Sequence, residues 1–209
     1  MNSLIFDIDG TLWDSRALVA EGYNIQLRSE GYDHLCVNAE ILRPLFGKTM
    51  TEIADVILAQ IPASERYALM ERCMDTENKY LAENECRIGY DGVKETLETL
   101  AKDYRLFIVS NAQCGYPELC MEKLGIAHLF EGHLCFGDTG TEKGETIKEL
   151  MRRHHIQSAV YIGDTQGDYE ATVVAQIPFV FAAYGFGNPE GFAAKITDIC
   201  QLPQTLQTL

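Results

Sequence analysis

Ser3-Leu-Ile-Phe6 running into Asp7-Ile-Asp9-Gly10-Thr11, and Ser158-Ala-Val-Tyr-Ile-Gly163 running into Asp164-Thr-Gln-Gly-Asp168, are the two stretches that decide the fold. Each is a short apolar run that delivers a pair of carboxylates where the chain turns. Buried strands of a parallel sheet have this composition, and open α/β sheets place their ligand crevice at the strand ends. Carboxylates gathered at one place repel each other unless a cation stands among them. The two stretches therefore point to a divalent metal site, and oxygen ligands of this kind suit Mg²⁺, which takes one or two direct carboxylates together with a substrate phosphate.

Further apolar runs at 106–109, 134–136 and 179–181 join those at 4–6 and 160–162 as expected strands. Helical spacing lies between them, as in Val93, Leu97 and Leu100, in Ile147, Leu150 and Met151, and over 169–175. Strands that alternate with helices predict an α/β fold with a doubly wound, Rossmann-like parallel sheet. The connection from Phe6 to Leu106 is far longer than the few tens of residues a βαβ crossover needs. It reads as helices over 17–27, 41–46, 51–60 and 64–82, with Thr51 and Ser64 as N-caps. The expected organisation is an α/β core domain of residues 1–13 and 88–209 with an all-helical cap domain of residues 14–87 inserted. Leaving the chain just after Asp9, the insertion is placed to act as a lid.

The chain has 209 residues, a hydrophobic fraction of 46% and a formal charge of −14. That charge argues against nucleic acid or an anionic membrane as partner, while leaving room for a small anionic substrate held by a few cations. No apolar run approaches the ~20 residues that span a bilayer. Seven cysteines without paired spacing, and no basic segment leading into an apolar one at the start, give a cytoplasmic expectation with reduced thiols. Nothing in the sequence sets an oligomeric state.

Four signals fall at strand ends. Asp7, at the end of a strand beside a metal, can attack phosphorus and form an aspartyl-phosphate. Asp9, two residues on, can protonate a leaving oxygen and later deprotonate water. An Asp-Gly turn accounts for the same letters. Ser110 and Asn111 follow the second strand and offer donors to phosphate oxygens, although Ser-Asn is also ordinary turn chemistry. Lys143 stands at the entrance of a helix beginning near Glu145, against the usual charge preference, which an anionic neighbour would explain and a solvated surface position would not need. Asp164 and Asp168 read either as metal ligands or as a helix cap with an acid in its first turn. Arg43 and Lys48, flanking Phe46-Gly47, are the cations of the insertion that could reach a remote anionic group on a substrate, and are equally surface residues.

Taken in order, Asp7-Ile-Asp9-Gly10-Thr11, Ser110, Lys143 and Gly163-Asp164-Thr-Gln-Gly-Asp168 resemble the motifs of the haloacid dehalogenase-like hydrolase superfamily. Leu12-Trp-Asp14-Ser15, Gly89-Tyr-Asp-Gly92-Val93 and Tyr184-Gly-Phe-Gly187 are similar to its phosphoglycolate phosphatase-like branch, whose C1-type cap the helical insertion resembles. The resemblance implies a Mg²⁺-dependent phosphatase of a small phosphorylated metabolite, such as phosphoglycolate or a sugar or nucleoside monophosphate. Asp7 would be the nucleophile, Asp9 the acid/base, and Ser110 and Lys143 phosphate holders. Asp7, Asp164 and the Asp9 carbonyl would bind metal, with Asp168 direct or through water. It also implies a central first strand flanked by the second and fourth. Hexose-phosphate mutases of the superfamily share the aspartate pair, and receiver-type phospho-signalling modules share part of the site. This chain departs from many relatives in carrying Gly144 after the lysine, which is expected to loosen that loop, and Asp91 before Gly92.

Overall fold

The computed structural model describes residues 2–209, with a sheet of six strands: β1 (Ser3–Phe6), β2 (Arg105–Ser110), β3 (Phe130–Cys135), β4 (Ala159–Gly163), β5 (Phe179–Ala182) and β6 (Ala194–Ile196). Every pairing is parallel, and the order β3-β2-β1-β4-β5-β6 puts β1 in the middle. The period of two divides each strand between two cores. Leu4, Phe6, Leu106, Ile108, Val160 and Ile162 face one apolar cluster, and Ile5, Phe107, Val109 and Tyr161 face the other. Helices α8 (Lys143–Arg153) and α9 (Gln166–Ala175) cover the second face, and α5 (Val93–Leu100), α6 (Tyr116–Leu124) and α10 (Leu202–Leu206) the first. This is the doubly wound α/β architecture expected.

Between β1 and β2 lie α1 (Arg16–Ser29), α2 (Ala39–Leu42), α3 (Met50–Ile57) and α4 (Ala63–Glu83). Their apolar faces, among them Val19, Tyr23 and Leu27 of α1 and Leu69, Cys73 and Leu81 of α4, belong to the same cluster as the first face of the sheet. Trp13 helps to join the two, its ring meeting Tyr116 of α6 edge-on at 5.4 Å.

Several boundaries differ from the sequence reading. The third strand begins at Phe130, because its polar positions Glu131 and His133 hide the alternation, and Phe136 instead opens the short helix α7 (Phe136–Thr139). The three-residue strand β6 carries too little apolar sequence to be read. In the stretch 41–46 only the part up to Leu42 is helical. Helix α8 starts at Lys143 itself rather than near Glu145.

Gly144 does not loosen a loop: it is buried inside α8, where a Cβ would stand 2.7 Å from Val174 Cβ and 3.1 Å from the Ala171 carbonyl of α9. A residue without a side chain lets these two helices close on each other.

The caps also move. Thr49, not Thr51, caps α3, accepting from Glu52 N–H while the Glu52 carboxylate accepts from Thr49 N–H at 2.9 Å. Helix α4 starts after Pro62, whose fixed φ presets the first turn and leaves Ser64 inside the helix. Thr49→Ala is therefore expected to cost about 1 kcal/mol of stability, and Thr51→Ala a few tenths at most. Urea unfolding of the two variants checks the position of the cap.

Candidate active site

β1 must release the chain sharply, because it is central and its end faces β4. Phe6 is in register with both Ile108 and Ile162, and Asp7 N–H still donates to the Ile162 carbonyl at 2.9 Å. Gly10, at φ +80°, makes the turn that follows. It also makes room: a Cβ on Gly10 would fall 2.3 Å from Asp164 Oδ2, and one on Gly185 would fall 2.4 Å from Asp164 Cβ. Asp164, at the end of β4, is thus cradled by two bare backbones. Its Oδ2 accepts from Phe186 N–H at 2.6 Å, whereas Oδ1 is enclosed with no partner.

Carboxylate oxygens of Asp7, Asp164 and Asp168 lie within 4.8 Å of one another, and all three residues are buried. Among them stands Lys143, 4% exposed, with Nζ 3.1 Å from Asp7 Oδ1 and 2.7 Å from Asp168 Oδ1. The helix entrance alone would disfavour this lysine. Burial also works against its charge, yet Asp168 and Asp7 hold its pKa above the ordinary lysine range. Burial and the charge of Asp168 push Asp7 up to about 7, against the pull of Lys143. Asp164 is pushed well above the usual carboxylate range by burial and by Asp168 and Asp7. Asp168, despite its burial, is held low by Lys143 and by hydrogen bonds from Thr165.

Asp168 is more committed than the sequence shows. Its Oδ2 accepts from Asp164 N–H, Thr165 N–H and the Thr165 hydroxyl at 3.1, 2.9 and 2.7 Å, and its Oδ1 holds Lys143. Thr165 is the N-cap of α9 and Asp168 its reciprocal partner. The cap reading and the site reading are therefore both present in one residue.

Asp9 lies outside the acid cluster. Its Oδ1 accepts from Trp13 Nε1–H, the Ser15 hydroxyl and the Tyr116 hydroxyl at 2.8, 2.7 and 2.9 Å. Burial nevertheless pushes its pKa up to about 6, the three hydrogen bonds pulling the other way. Ser110 is buried at the end of β2, and its oxygen accepts from Ala112 N–H at 3.3 Å. Its own proton is free to donate.

Asp7, Asp9 and Ser110 share a cavity of about 30 Å³ with Glu77, Tyr23 and Tyr116. Asn111 lines it too, with its amide partly engaged by the insertion. Nδ2 donates to the Gly47 carbonyl of the insertion at 2.7 Å and Oδ1 is buried without a partner. Arg43 does not line this cavity; it faces an outer groove of about 640 Å³ together with Lys48, Lys143 and Phe186. Sequence reasoning passed over Trp13, Ser15 and Tyr116 as the supports of Asp9, and over Glu77. The run Trp13-Asp-Ser15 immediately after the first motif was the one available signal.

The donor set fits a divalent cation. Three carboxylates, two of them with raised pKa, converge here with one lysine to balance them, and Oδ1 of one of them, Asp164, is left without a partner. A hard cation takes oxygen ligands of this kind.

A sequence model described as haloacid dehalogenase-like hydrolase matches residues 4–182, from β1 to the end of β5. The chain belongs to this family. A phosphoglycolate phosphatase of Xanthomonas campestris pv. campestris is 29% identical over 195 residues, which covers 88% of this chain and 84% of that protein. One of Rhodobacter capsulatus is 26% identical over 209 residues, covering 96% and 94%. The crystal structure of a predicted phosphatase from Clostridium acetobutylicum superimposes with a TM-score of 0.83 at 20% identity, covering 100% of this chain and 99% of that one. In this haloacid dehalogenase-like hydrolase, the matched range includes the strand ends that gather the carboxylates.

The acid cluster makes stability depend on pH in a stated direction. Asp7 rises from an ordinary 3.8 to about 7, so between these values the folded state holds a proton that the unfolded state has lost, and stability falls as pH rises. A divalent cation binds the ionised form and displaces that proton. Metal-free protein should therefore lose Tm from pH 4 towards 7 with Asp164 adding to the fall, and added Mg²⁺ should raise Tm more at pH 7.5 than at pH 5. Thermal melts with and without chelator check both signs.

Proposed function

We propose that this chain is a Mg²⁺-dependent phosphatase of a small phosphorylated metabolite, working through an aspartyl-phosphate on Asp7. The observation that carries the reading is the contrast between two aspartates two residues apart in one cavity. Asp7 is paired with Lys143, and Asp9 is held away from it by Trp13, Ser15 and Tyr116 with a pKa of about 6. Paired carboxylates in different environments divide the roles of nucleophile and acid/base.

An Asp7 oxygen forms the bond to phosphorus as the ester oxygen leaves, and Asp9 gives that oxygen its proton. Asp9 then takes a proton from water, whose oxygen bonds to phosphorus while the bond to Asp7 breaks, releasing phosphate. The Ser110 hydroxyl and Lys143 hold the phosphoryl oxygens, and Asp168 orients Lys143. Asp7 and Asp164 hold Mg²⁺ with the Asp9 carbonyl, and Asp168 stands beside them. The ion supplies the positive charge that lets these acids share the site with a phosphate dianion.

Residues 14–87 act as the lid. Asn111 is tied to Gly47 and the Phe46 ring meets Phe186 at 5.7 Å, so the insertion leaves over Asp7 and Asp9 a cavity of only about 30 Å³, open at its rim. A phosphomonoester needs more room than that, so these contacts part as it enters. Arg43, in the outer groove, serves approach rather than the reacting group. Similarity to phosphoglycolate phosphatases over most of the chain supports a small phosphomonoester.

Asp7→Asn is expected to fold and to lose roughly 10³-fold or more in kcat, the scale of losing a nucleophile. Chelator should abolish phosphate release, Mg²⁺ restore it and Ca²⁺ restore it poorly. Turnover by folded Asp7→Asn protein, or activity unaffected by verified metal removal, would contradict the proposal. Ser15→Ala removes a donor to the Asp9 carboxylate, so the pKa of Asp9 should rise. Because Asp9 must be protonated to act as acid, the alkaline limb of the kcat profile should move to higher pH.

A further inference from the structure

Glu77 of α4 is a buried carboxyl, 2% exposed, and its Oε2 has no hydrogen-bond partner. It lines the same cavity as Asp7, Asp9 and Ser110. It cannot withdraw, because α1 crosses α4 there so closely that a Cβ on Gly22 would stand 2.7 Å from Glu77 Cα. An unpaired polar atom in such a place is a cost to the folded protein unless something arrives to meet it. What arrives must come from the cavity, where the phosphate-holding groups lie at Ser110 and beside Asp7.

The charges around the cavity say what chemistry fits. Three acids line it, and the cation that lines it, Lys48, is exposed at the rim. Burial, with Asp9 adding to it, pushes Glu77 up to about 8, which marks a place where further negative charge is unfavourable. A hydroxyl would satisfy Oε2 in either protonation state and an ammonium would satisfy it ionised, whereas a carboxylate could meet only the protonated form and would add a fourth acid.

We infer that Glu77 is a specificity-determining residue: it accepts a hydrogen bond from a hydroxyl or ammonium on the departing alcohol and disfavours leaving groups that carry a carboxylate. The inference rests on the phosphatase reading above, and it separates this chain's substrate from the phosphoglycolate for which the curated relatives are named. The substrate class is the monophosphate of a small alcohol bearing a hydrogen-bond donor.

The test is phosphate release by the full chain with Mg²⁺ from p-nitrophenyl phosphate, ethyl phosphate, glycerol 1-phosphate, phosphoethanolamine and phosphoglycolate. Wild type is expected to favour the hydroxyl and ammonium substrates over ethyl phosphate and phosphoglycolate by roughly tenfold or more in kcat/KM, as a site built to receive a hydrogen bond does. Glu77→Gln keeps the shape and removes the ionised form that an ammonium beside it would favour, so the ratio of phosphoethanolamine to phosphoglycolate should fall by about tenfold. A wild-type preference for phosphoglycolate, or equal losses on all substrates in Glu77→Gln, would overturn the inference. Should that variant not fold, the wild-type ranking decides alone. Hydrolysis of p-nitrophenyl phosphate with the ranking reversed removes only the role of Glu77. Failure on every phosphoester removes the phosphatase reading with it.

Discussion

Three buried carboxylates around one lysine are the constraint on which the rest of this molecule is arranged. Asp7, Asp164 and Asp168 come from two neighbouring strands and the helix that follows one of them, and Lys143 enters from the first turn of α8. Removing acids from water is expensive, and their mutual repulsion is stronger in a low dielectric. The surroundings offset this with directed hydrogen bonds. Thr165 and two backbone N–H groups hold Asp168, and the N–H of Phe186 holds Asp164. What remains unbalanced is the negative charge itself, visible in the raised pKa of Asp7 and Asp164. A site left short of positive charge is poised to take it up from solution.

The parallel sheet explains why such a site is affordable. β1 lies between β2 and β4, so strand ends separated by more than a hundred residues of sequence meet within one small volume. The close packing of α8 against α9 through Gly144 brings the lysine of one helix to the aspartate of the other. Fold and chemistry therefore share their determinants: Asp168, which completes the cap of α9, orients the lysine, and the glycine that turns the chain after β1 opens the space for Asp164.

Much of this was legible in the sequence because it is local. Apolar runs that end in Asp-x-Asp-Gly or Gly-Asp-x-x-x-Asp give both the strand and its terminal chemistry in a few residues. A lysine at a helix start is legible for the same reason, since its oddity is defined by its neighbours. The support of Asp9 was not, because Tyr116 reaches it from 107 residues away. Glu77 was hidden by the ordinary acids of α4, from which nothing but burial distinguishes it. Asn111 was legible as a polar residue beside Ser110, but its partner is a backbone carbonyl of the insertion, which no pattern announces. The short edge strand β6 and the cap at Thr49 fell below the resolution of hydrophobic periodicity, where two threonines a residue apart offer equivalent signals.

Phe186 joins the two halves of the molecule at a single residue. Its backbone N–H binds Asp164, while its ring lies against Phe46 and under the guanidinium of Arg16, 4.4 Å from the ring centre. A swing of residues 14–87 away from the sheet would strip that ring of both neighbours and leave the loop on Asp164 anchored from one side. Were the helices to move as a lid, whatever tightens the acid cluster would also favour their present position, and by the same free energy. Occupancy of the acidic centre and position of the helices would then be coupled through this one loop, without a separate effector site.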